Sequence, residues 1–358
     1  MKLRNIPLWI ISTAVVIYFL VVAKRLLIPF VIAVAIWYLI ESLSLFIGKM
    51  SINRKAKKKI PRWLSLIFSA LVIIGLFIGA VKIVIDTFKS MRSTLPDYEE
   101  KFQSFFNQLP DFFEFGEIES VTDLLQEINV AATAGPVFDT VTNLFASVIL
   151  VIIYVIFLLL ERNVLSVKLK NLFGQKSNYD HFRSVLSKIN ESIRTYISVK
   201  IFTSFLTGFL SYLVMEIIGL DFAIFFAFLI FLLNFIPSIG SITATSLPLL
   251  FSIVQFESLS TFILLLILIV GIQIIVGNYI DPLLMGSKLN ISPLVIILSL
   301  VGWGSIWGFA GMIFSVPFTA VLIIIFNEFK GTKPIAILLS EAGKLDVDKI
   351  GDRNDKKT

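Results

Sequence analysis

The chain has 358 residues, of which 57% are hydrophobic and 16% charged, with a formal net charge of +6 and a mean hydropathy of +0.91. Soluble globular proteins average about 45–50% apolar and about 25% charged residues, so this composition excludes an ordinary soluble domain and indicates a membrane protein. Because the chain has no cysteine and one histidine, His181, disulfide bonds, thiolate metal sites and histidine-cluster metal sites are also excluded. We therefore expect neither a metal nor a cofactor.

Eight apolar segments are long enough to cross a bilayer as helices, each of which needs about 20 residues. They cover residues 6–23, 26–47, 63–85, 141–160, 197–218, 222–253, 259–280 and 293–326. The sequence thus predicts an all-α polytopic protein with about eight transmembrane helices. Several segments exceed the length of one crossing, so tilted helices, kinks or re-entrant turns are expected among them.

The charges of the loops predict the orientation in the membrane. Residues 49–62 hold seven basic and no acidic side chains, and residues 161–196 hold seven basic against three acidic ones. Residues 86–140, between them, hold eleven acidic and three basic side chains. Because basic loops stay in the cytoplasm, the first two segments and both termini are predicted to be cytoplasmic and residues 86–140 extracytoplasmic. A basic run is also typical of nucleic-acid binding, but the place of 49–62 between two spans favours a membrane loop, so no nucleic-acid partner is expected.

Two polar segments carry an apolar stripe at helical spacing. The first stripe, in residues 86–140, predicts an amphipathic helix that either lies on the membrane face or joins the subunits of a homo-oligomer: Leu95, Tyr98, Phe102, Phe105 and Leu109. The second predicts one helix that runs from the cytoplasmic segment into the fifth span: Phe182, Val185, Ile189, Ile193 and Tyr196. The residues after 329 have mixed charge and are expected to be disordered.

These features divide the chain into five parts. Residues 1–85 are predicted to form three N-terminal transmembrane helices around the basic loop 49–62, and residues 86–140 the extracytoplasmic segment. Residues 141–196 are predicted to form the fourth transmembrane helix and a basic cytoplasmic helix. Residues 197–328 are predicted to form a transport core with broken helices, and residues 329–358 a cytoplasmic tail.

The predicted core is almost free of charge and is interrupted by proline and glycine in two places. Between residues 201 and 327 the ionisable Asp, Glu, Lys and Arg side chains are Glu216, Asp221, Glu257, Asp281 and Lys288. A helix that breaks inside hydrocarbon leaves backbone groups unpaired unless the break is buried in protein or faces a wet cavity. The segments 234–248 and 278–293 are therefore the predicted location of a functional site.

Both interrupted segments combine helix-breaking and polar residues. The predicted transport path comprises Asn234, Pro237, Ser238, Gly240 and Ser241 from the first segment and Asn278, Asp281, Pro282, Gly286 and Lys288 from the second. Exposed half-helix ends can bind a polar solute or an ion without a charged side chain. The order Asn, Ile, Pro, Gly, Pro occurs in both segments, which is typical of an internal repeat in a transporter, although a chance match is an equal alternative. Asp281 and Lys288 are close enough in sequence to pair, and Lys200 is expected to extend towards the cytoplasm.

The last apolar segment is rich in glycine. Gly304 and Gly308 form a GxxxG motif, which predicts close helix packing, and Trp303 and Trp307 could instead line a cavity. The chain lacks the Gly-x-x-x-x-Gly-Lys-Ser/Thr pattern of a P-loop and any recognisable catalytic set, so neither an ATPase nor another enzyme is expected.

The motifs together resemble the autoinducer-2 exporter family of bacterial membrane proteins. The resemblance is carried by Phe235-Ile-Pro237-Ser-Ile-Gly240-Ser241, Asn278-x-x-Asp281-Pro282-x-x-x-Gly286 and Gly302-Trp303-Gly304-x-x-x-Gly308-x-x-Gly311, with Ile193-Arg194-x-Tyr196-Ile197 before the fifth span. Where the family often has Arg-Gly-Gln after the Tyr-Ile pair, this chain has Ser198-Val199-Lys200.

The resemblance implies about eight spans in the bacterial cell membrane, a homo-oligomer, and export of small molecules that include the quorum-sensing signal autoinducer-2. Some members of the family resemble sodium(lithium)/proton antiporters instead. Three functions therefore stay open: an exporter of small polar molecules that does not use ATP, an antiporter centred on Asp281, and a membrane scaffold that transports nothing.

Overall fold

The structure is a computed structural model that describes residues 6–49, 61–80, parts of 82–90, 148–172, 176–286, 290–341 and 343. These parts are helical and contain no strand. The helices are α1 (Ile6–Val22), α2 (Lys24–Lys49), α3 (Arg62–Ala80), α4 (Val148–Leu172), α5 (Lys176–Ile218), α6 (Ala223–Leu233), α7 (Ile239–Phe256), α8 (Leu259–Ile274), a π-helix (Ile275–Ile280), α9 (Asp281–Met285), α10 (Pro293–Glu328) and α11 (Lys333–Leu339). Most of the segment 86–140, with its first apolar stripe, lies outside the described residues, as do residues 50–60, Lys288 and most of the tail.

Among the described residues, six apolar stretches are long enough to cross a membrane: Lys24–Gly48, Arg62–Ala80, Tyr179–Ile218, Ile239–Phe256, Leu259–Met285 and Pro293–Glu328. Three shorter apolar helices accompany them, at Ile11–Val22, Val148–Glu161 and Ala223–Leu233. Many of their large apolar side chains, such as Ile17, Phe157 and Leu264, are exposed on the surface of the chain, where lipid would cover them. The prediction of an all-α polytopic membrane protein is confirmed.

The N-terminal helices pack on one another and on α5. Ala33 and Ile40 of α2 form a buried cluster with Val151 and Val155 of α4. The hydroxyl of Ser44 on α2 lies 2.8 Å from the hydroxyl of Ser65 on α3. Such hydrogen bonds fix the register of two helices whose contacts are otherwise apolar.

Helix α5 is the longest in the structure. Its 43 residues correspond to a length of about 65 Å, roughly twice the thickness of the hydrocarbon core. The second predicted stripe lies along it, so the prediction of one helix that continues into the fifth span is confirmed. Helices α6, α8, α9 and α10 and the π-helix pack against this long helix, and α7 packs on α6 and α8. Helix α5 therefore organises the C-terminal half of the protein.

The segment predicted as a sixth span is a helical hairpin, formed by α6 and α7 and called the first hairpin here. The rings of Phe222 and Phe251 have centroids 5.7 Å apart. The backbone N–H of Asp221 donates to the side chain of Gln255 at 2.8 Å, and Gln255 donates to the Gly219 carbonyl at 2.8 Å. The chain therefore reverses between α6 and α7, and a re-entrant turn, one of the expected alternatives, replaces a kinked crossing.

The tip of the first hairpin follows from its sequence. Pro237 has no N–H to continue α6, and Ser238 has a positive φ of 60°. A Cβ atom on Gly240 would lie 1.9 Å from the carbonyl oxygen of Leu233, so the two arms meet at a position that requires glycine. Because α6 has only 11 residues, about 16 Å, it is too short to cross a hydrocarbon core of about 30 Å.

Helix α10 also reverses, and its two arms form the second hairpin. Gly308 has φ 59° and ψ −135°, outside the helical region. The rings of Trp303 and Phe318 have centroids 4.7 Å apart, although the residues are 15 positions apart in sequence. The GxxxG motif therefore lies in a close approach between the two arms, with Gly304 beside the Met312 side chain, and its second glycine, Gly308, forms the reversal.

The bases of the two hairpins lie at opposite ends of α5. The first begins beside Gly219, directly after α5 ends at Ile218. The second ends at Glu328, whose carboxylate lies 3.2 Å from Nε2 of His181 and 3.4 Å from Nζ of Lys188, near the start of α5. The hairpins therefore enter from opposite ends of the same helix.

The second interrupted segment is not a hairpin tip. Residues Ile275–Ile280 form a π-helix, and the N–H of Asp281 donates to the Val276 carbonyl five residues earlier. Pro282 follows and has no N–H to offer the Asn278 carbonyl, which explains the wider turn. The two segments that share the order Asn, Ile, Pro, Gly, Pro thus have different local structures.

Candidate functional site

A buried polar face runs along α5 inside its candidate span. We call it the α5 polar face and define it by Lys200, Thr203, Ser204, Thr207 and Ser211. The four hydroxyl residues have relative exposures of 0 to 1%, and Lys200 has 9%. Positions separated by three and four residues share one side of a helix, so these groups form a continuous strip. Polar groups at this depth are costly, and in membrane proteins they mark solute or ion paths.

An ion pair lies at one end of this strip. Nζ of Lys200 is 3.0 Å from Oδ2 of Asp281, and Oγ1 of Thr203 donates to Oδ1 of Asp281 at 3.4 Å. The side chains of Lys200 and Asp281 are 11% and 16% exposed. The π-helix presents Asp281 to α5. The expectation that Lys200 extends to the cytoplasm is therefore wrong, because its ammonium group binds a carboxylate of the second interrupted segment.

The tip of the first hairpin reaches the same strip. Asn234, 9% exposed at the end of α6, donates from Nδ2 to the hydroxyl of Ser204 at 3.1 Å. Thr203 and Ser204 are consecutive residues, and they hold Asp281 and Asn234 respectively. The two segments that the sequence analysis identified thus meet on the α5 polar face.

The remainder of the strip is less completely paired. Thr207 donates to the Thr203 carbonyl at 2.8 Å, as hydroxyl groups inside membrane helices commonly do. The hydroxyl of Ser211 is buried and has no hydrogen-bond partner in the structure. Nε2 of Gln273, on α8, is also buried without one. A buried polar atom without a partner is costly and is often satisfied by water or a ligand.

The other predicted path residues lie elsewhere on these elements. Ser241 donates to the Ser238 carbonyl at 2.9 Å, so both belong to the internal bonding of the first hairpin. Asn278, Pro282 and Gly286 are exposed on the surface of the chain, and the predicted pairing of Asp281 with Lys288 falls outside the described residues.

The aromatic residues of the second hairpin have a packing role in the structure. Trp303 and Trp307 both contact Phe318, with ring centroids 4.7 and 5.3 Å apart. Nε1 of Trp307 donates to the carbonyl of Leu20 at 3.0 Å, near the end of α1. That carbonyl lies just before the junction of α1 and α2 at Ala23, so the indole links the second hairpin to this junction.

The α5 polar face was not among the residues predicted from the sequence, although a signal for it exists. Residues 200, 203, 204, 207 and 211 recur with the period of one helix face inside an otherwise apolar span. The fully described part of the chain holds no group of three or more His, Cys, Asp or Glu side chains that could bind a metal ion. The chemistry available here is therefore that of one ion pair, hydroxyl groups and an amide.

Comparison with known proteins agrees with this membrane architecture. The family model of AI-2E family transporters matches residues 8–331. The AI-2 transport protein TqsA of Escherichia coli K12 is 26% identical over 326 residues, which are 90% of this chain and 91% of TqsA.

Two further relatives match shorter parts of the chain. The protein YhhT of Escherichia coli K12 is 29% identical over 263 residues, 72% of this chain and 74% of YhhT. A protein of Borreliella burgdorferi is 31% identical over 223 residues, and the match spans 61% of each chain. Because the family model covers nearly the whole chain, the resemblance drawn from its motifs is confirmed. The chain therefore belongs to the AI-2E transporter family and is a multi-pass membrane transport protein.

Proposed function

We propose that this protein exports small polar molecules across the bacterial cell membrane without hydrolysing ATP, and that the solute passes along the α5 polar face. The observation that supports this path is the convergence of Asn234 and Asp281 on Ser204 and Thr203, which belong to a candidate membrane span. Hydroxyl, amide and carboxylate groups can replace the hydration shell of a polar solute in a low-dielectric environment.

The proposed cargo is an uncharged, hydroxyl-rich molecule of the autoinducer-2 type. TqsA, which matches 90% of this chain, is named as an AI-2 transport protein. Such a solute could exchange hydrogen bonds with Thr203, Ser204 and Thr207 one at a time as it moves. The unpartnered hydroxyl of Ser211 supplies a further group on the same face.

The orientation proposed for this path follows from the loop charges. The start of α5 and the base of the second hairpin would be cytoplasmic, and the base of the first hairpin extracytoplasmic. Both termini would then be cytoplasmic. We further propose a homo-oligomer, as the family resemblance implies.

Release from proteoliposomes tests the proposal. Vesicles that contain the purified protein and are loaded with autoinducer-2 should release it faster than protein-free vesicles. Asn234→Ala should slow release by roughly three- to tenfold, because one hydrogen-bonding group of the path is removed. Ser305→Ala is the matched control, because Ser305 is exposed and donates only to the carbonyl of Val301 in its own helix.

The same vesicles separate the alternatives. Proton movement driven by a sodium gradient, and lost in Asp281→Asn, would show the antiporter instead. If wild type shows neither solute release nor proton movement, and Asn234→Ala folds and assembles as wild type does, the scaffold is favoured. Release that is equal in wild type and Asn234→Ala would overturn the proposed path.

A further inference from the structure

The ion pair on the α5 polar face has a charge balance that bears on selectivity. Asp281 contributes one negative charge and Lys200 one positive charge, while Thr203, Ser204, Thr207 and Ser211 are neutral. Among the groups that the structure describes on this face, the net charge is therefore zero. A single unpaired charge at membrane depth would instead attract a mobile counter-ion.

We propose that Lys200 determines the ion selectivity of the path. Its ammonium group pairs with the Asp281 carboxylate, so sodium has no free carboxylate to bind. The protein therefore passes neutral polar solutes and excludes sodium. This inference rests on the proposed function, because it places the path on the α5 polar face. It assigns Lys200 as a specificity residue of this chain.

The oxygen atoms around Asp281 explain why a cation would otherwise bind there. The carboxylate has Oγ1 of Thr203 at 3.4 Å, and the same hydroxyl lies 3.3 Å from the carbonyl oxygen of Lys200. Carboxylate, hydroxyl and carbonyl oxygens are the ligands that hard cations prefer. The ammonium of Lys200 is a compact charge on a flexible stem, and at 3.0 Å it neutralises the carboxylate directly.

The position of Lys200 favours this role over a purely structural one. The Lys200 side chain, in a candidate membrane span, is 11% exposed, whereas the Lys168 side chain is 60% exposed and pairs with Glu161 on the same helix. A pair that is largely buried in the protein is screened little by salt, so its charge balance governs which ions enter. A surface pair such as Lys168 with Glu161 has no such effect.

Uptake of radioactive sodium tests the proposal. Proteoliposomes with an inside-negative potassium diffusion potential would contain wild type, Lys200→Gln, Lys200→Arg, Lys200→Gln/Asp281→Asn or the matched control Lys168→Gln. We expect Lys200→Gln to take up sodium at least about tenfold faster than wild type, because the carboxylate has lost its counter-charge. Lys200→Arg, which keeps the charge, the neutral double variant and Lys168→Gln should all remain at the wild-type rate.

Two outcomes would overturn the proposal. One is sodium uptake by wild type at the rate of Lys200→Gln, since the native pair would then not exclude the ion. The other is a folded Lys200→Gln variant, with the elution volume of wild type in size-exclusion chromatography, that takes up sodium no faster than wild type.

A reciprocal variant covers the case in which Lys200→Gln does not fold. Asp281→Asn leaves Lys200 unpaired, so radioactive chloride should enter faster than in wild type, and an unchanged chloride rate in folded protein would contradict the proposal. If neither variant folds, the unfolding temperature of wild type in two salts tests the proposal. Equal unfolding temperatures in sodium chloride and choline chloride agree with exclusion of sodium, and stabilisation by sodium argues against it.

Failure of this inference is distinguishable from failure of the proposed function. Absence of autoinducer-2 release from vesicles with wild-type protein contradicts the exporter. The sodium and chloride measurements depend instead on the charge balance of Lys200 and Asp281. If wild type both releases autoinducer-2 and takes up sodium, the proposed function stands and the proposed selectivity is wrong.

Discussion

The carbonyl oxygen of Trp303 lies 1.9 Å from the point at which residue 311 would carry a Cβ atom, so only Gly311 fits opposite Trp303 in the second hairpin. The obstructing atom belongs to the backbone and cannot rotate away as a side chain would. The close approach of the two arms at this point therefore requires glycine at position 311.

Gly311→Ala should lower the stability of the protein by about 1–3 kcal/mol, because the two arms must separate to admit the methyl group. The measurement is the midpoint of thermal unfolding in detergent. Gly302→Ala is the control, since a Cβ there would meet nothing within 4 Å and alanine is the better helix former. Equal losses in the two variants would contradict the close approach.

Engineered cysteines can test the first hairpin directly, because the chain has no native cysteine. Phe222→Cys/Phe251→Cys should form a disulfide or react with a short bifunctional reagent, since the native ring centroids are 5.7 Å apart. In an unreversed helix the 29 intervening steps would place them about 43 Å apart. Phe222→Cys/Phe235→Cys, which joins the base to the tip, should not cross-link. Absence of the first cross-link would favour a kinked crossing.

Lys200→Ala should destabilise the protein by roughly 3–5 kcal/mol, because the Asp281 carboxylate is left buried without its partner. Lys200→Ala/Asp281→Ala should recover most of this loss, since replacing both charges removes the desolvation penalty as well as the attraction. Unfolding in mixed detergent micelles gives the free energies for a double-mutant cycle. Purely additive losses would indicate that the two side chains do not interact.

Trp307→Phe should cost about 1 kcal/mol, because the hydrogen bond from Nε1 to the Leu20 carbonyl is lost while an aromatic ring remains against Phe318. Thermal unfolding monitored by far-ultraviolet circular dichroism would measure the change. Trp63→Phe is a suitable comparison, since Trp63 is 63% exposed. A loss at Trp63 as large as at Trp307 would remove the case for the hydrogen bond.

The sequence predicted the helical class and the long α5, because hydropathy and helical period depend on local composition. It also identified the two interrupted segments whose Asn234 and Asp281 contact α5. It did not predict the direction of the chain after each interruption. Hydropathy shows the length of an apolar segment but not the direction of the chain within it. Residues 222–253 are apolar on both sides of a short turn, so the reversal leaves no mark in the hydropathy. The reversal at Gly308 depends on the fit of Gly311 against Trp303, a contact that no single stretch of sequence displays.

Lys200 was not predicted as the partner of Asp281, because this contact also depends on the packing of distant segments. Lys288 is seven positions away in sequence, whereas Lys200 is 81 positions away and reaches Asp281 only because α5 packs against the π-helix. The local spacing of charges therefore pointed to Lys288, which lies outside the described residues, and the pair with Lys200 could be found only in three dimensions.

The two hairpins together leave the side of the membrane on which the C-terminal tail lies unchanged. A hairpin that returns to its side of entry replaces one crossing, so with two such hairpins the tail after α11 would face the same side as in a chain of eight crossings. A reporter fused to the C-terminus therefore cannot distinguish the two arrangements. The short connections can, because the hairpins exchange the sides of residues 257–258 and 290–292. The first would become extracytoplasmic, and the second would join the tail, where the N–H of Ser292 donates to the Leu339 carbonyl at 3.1 Å.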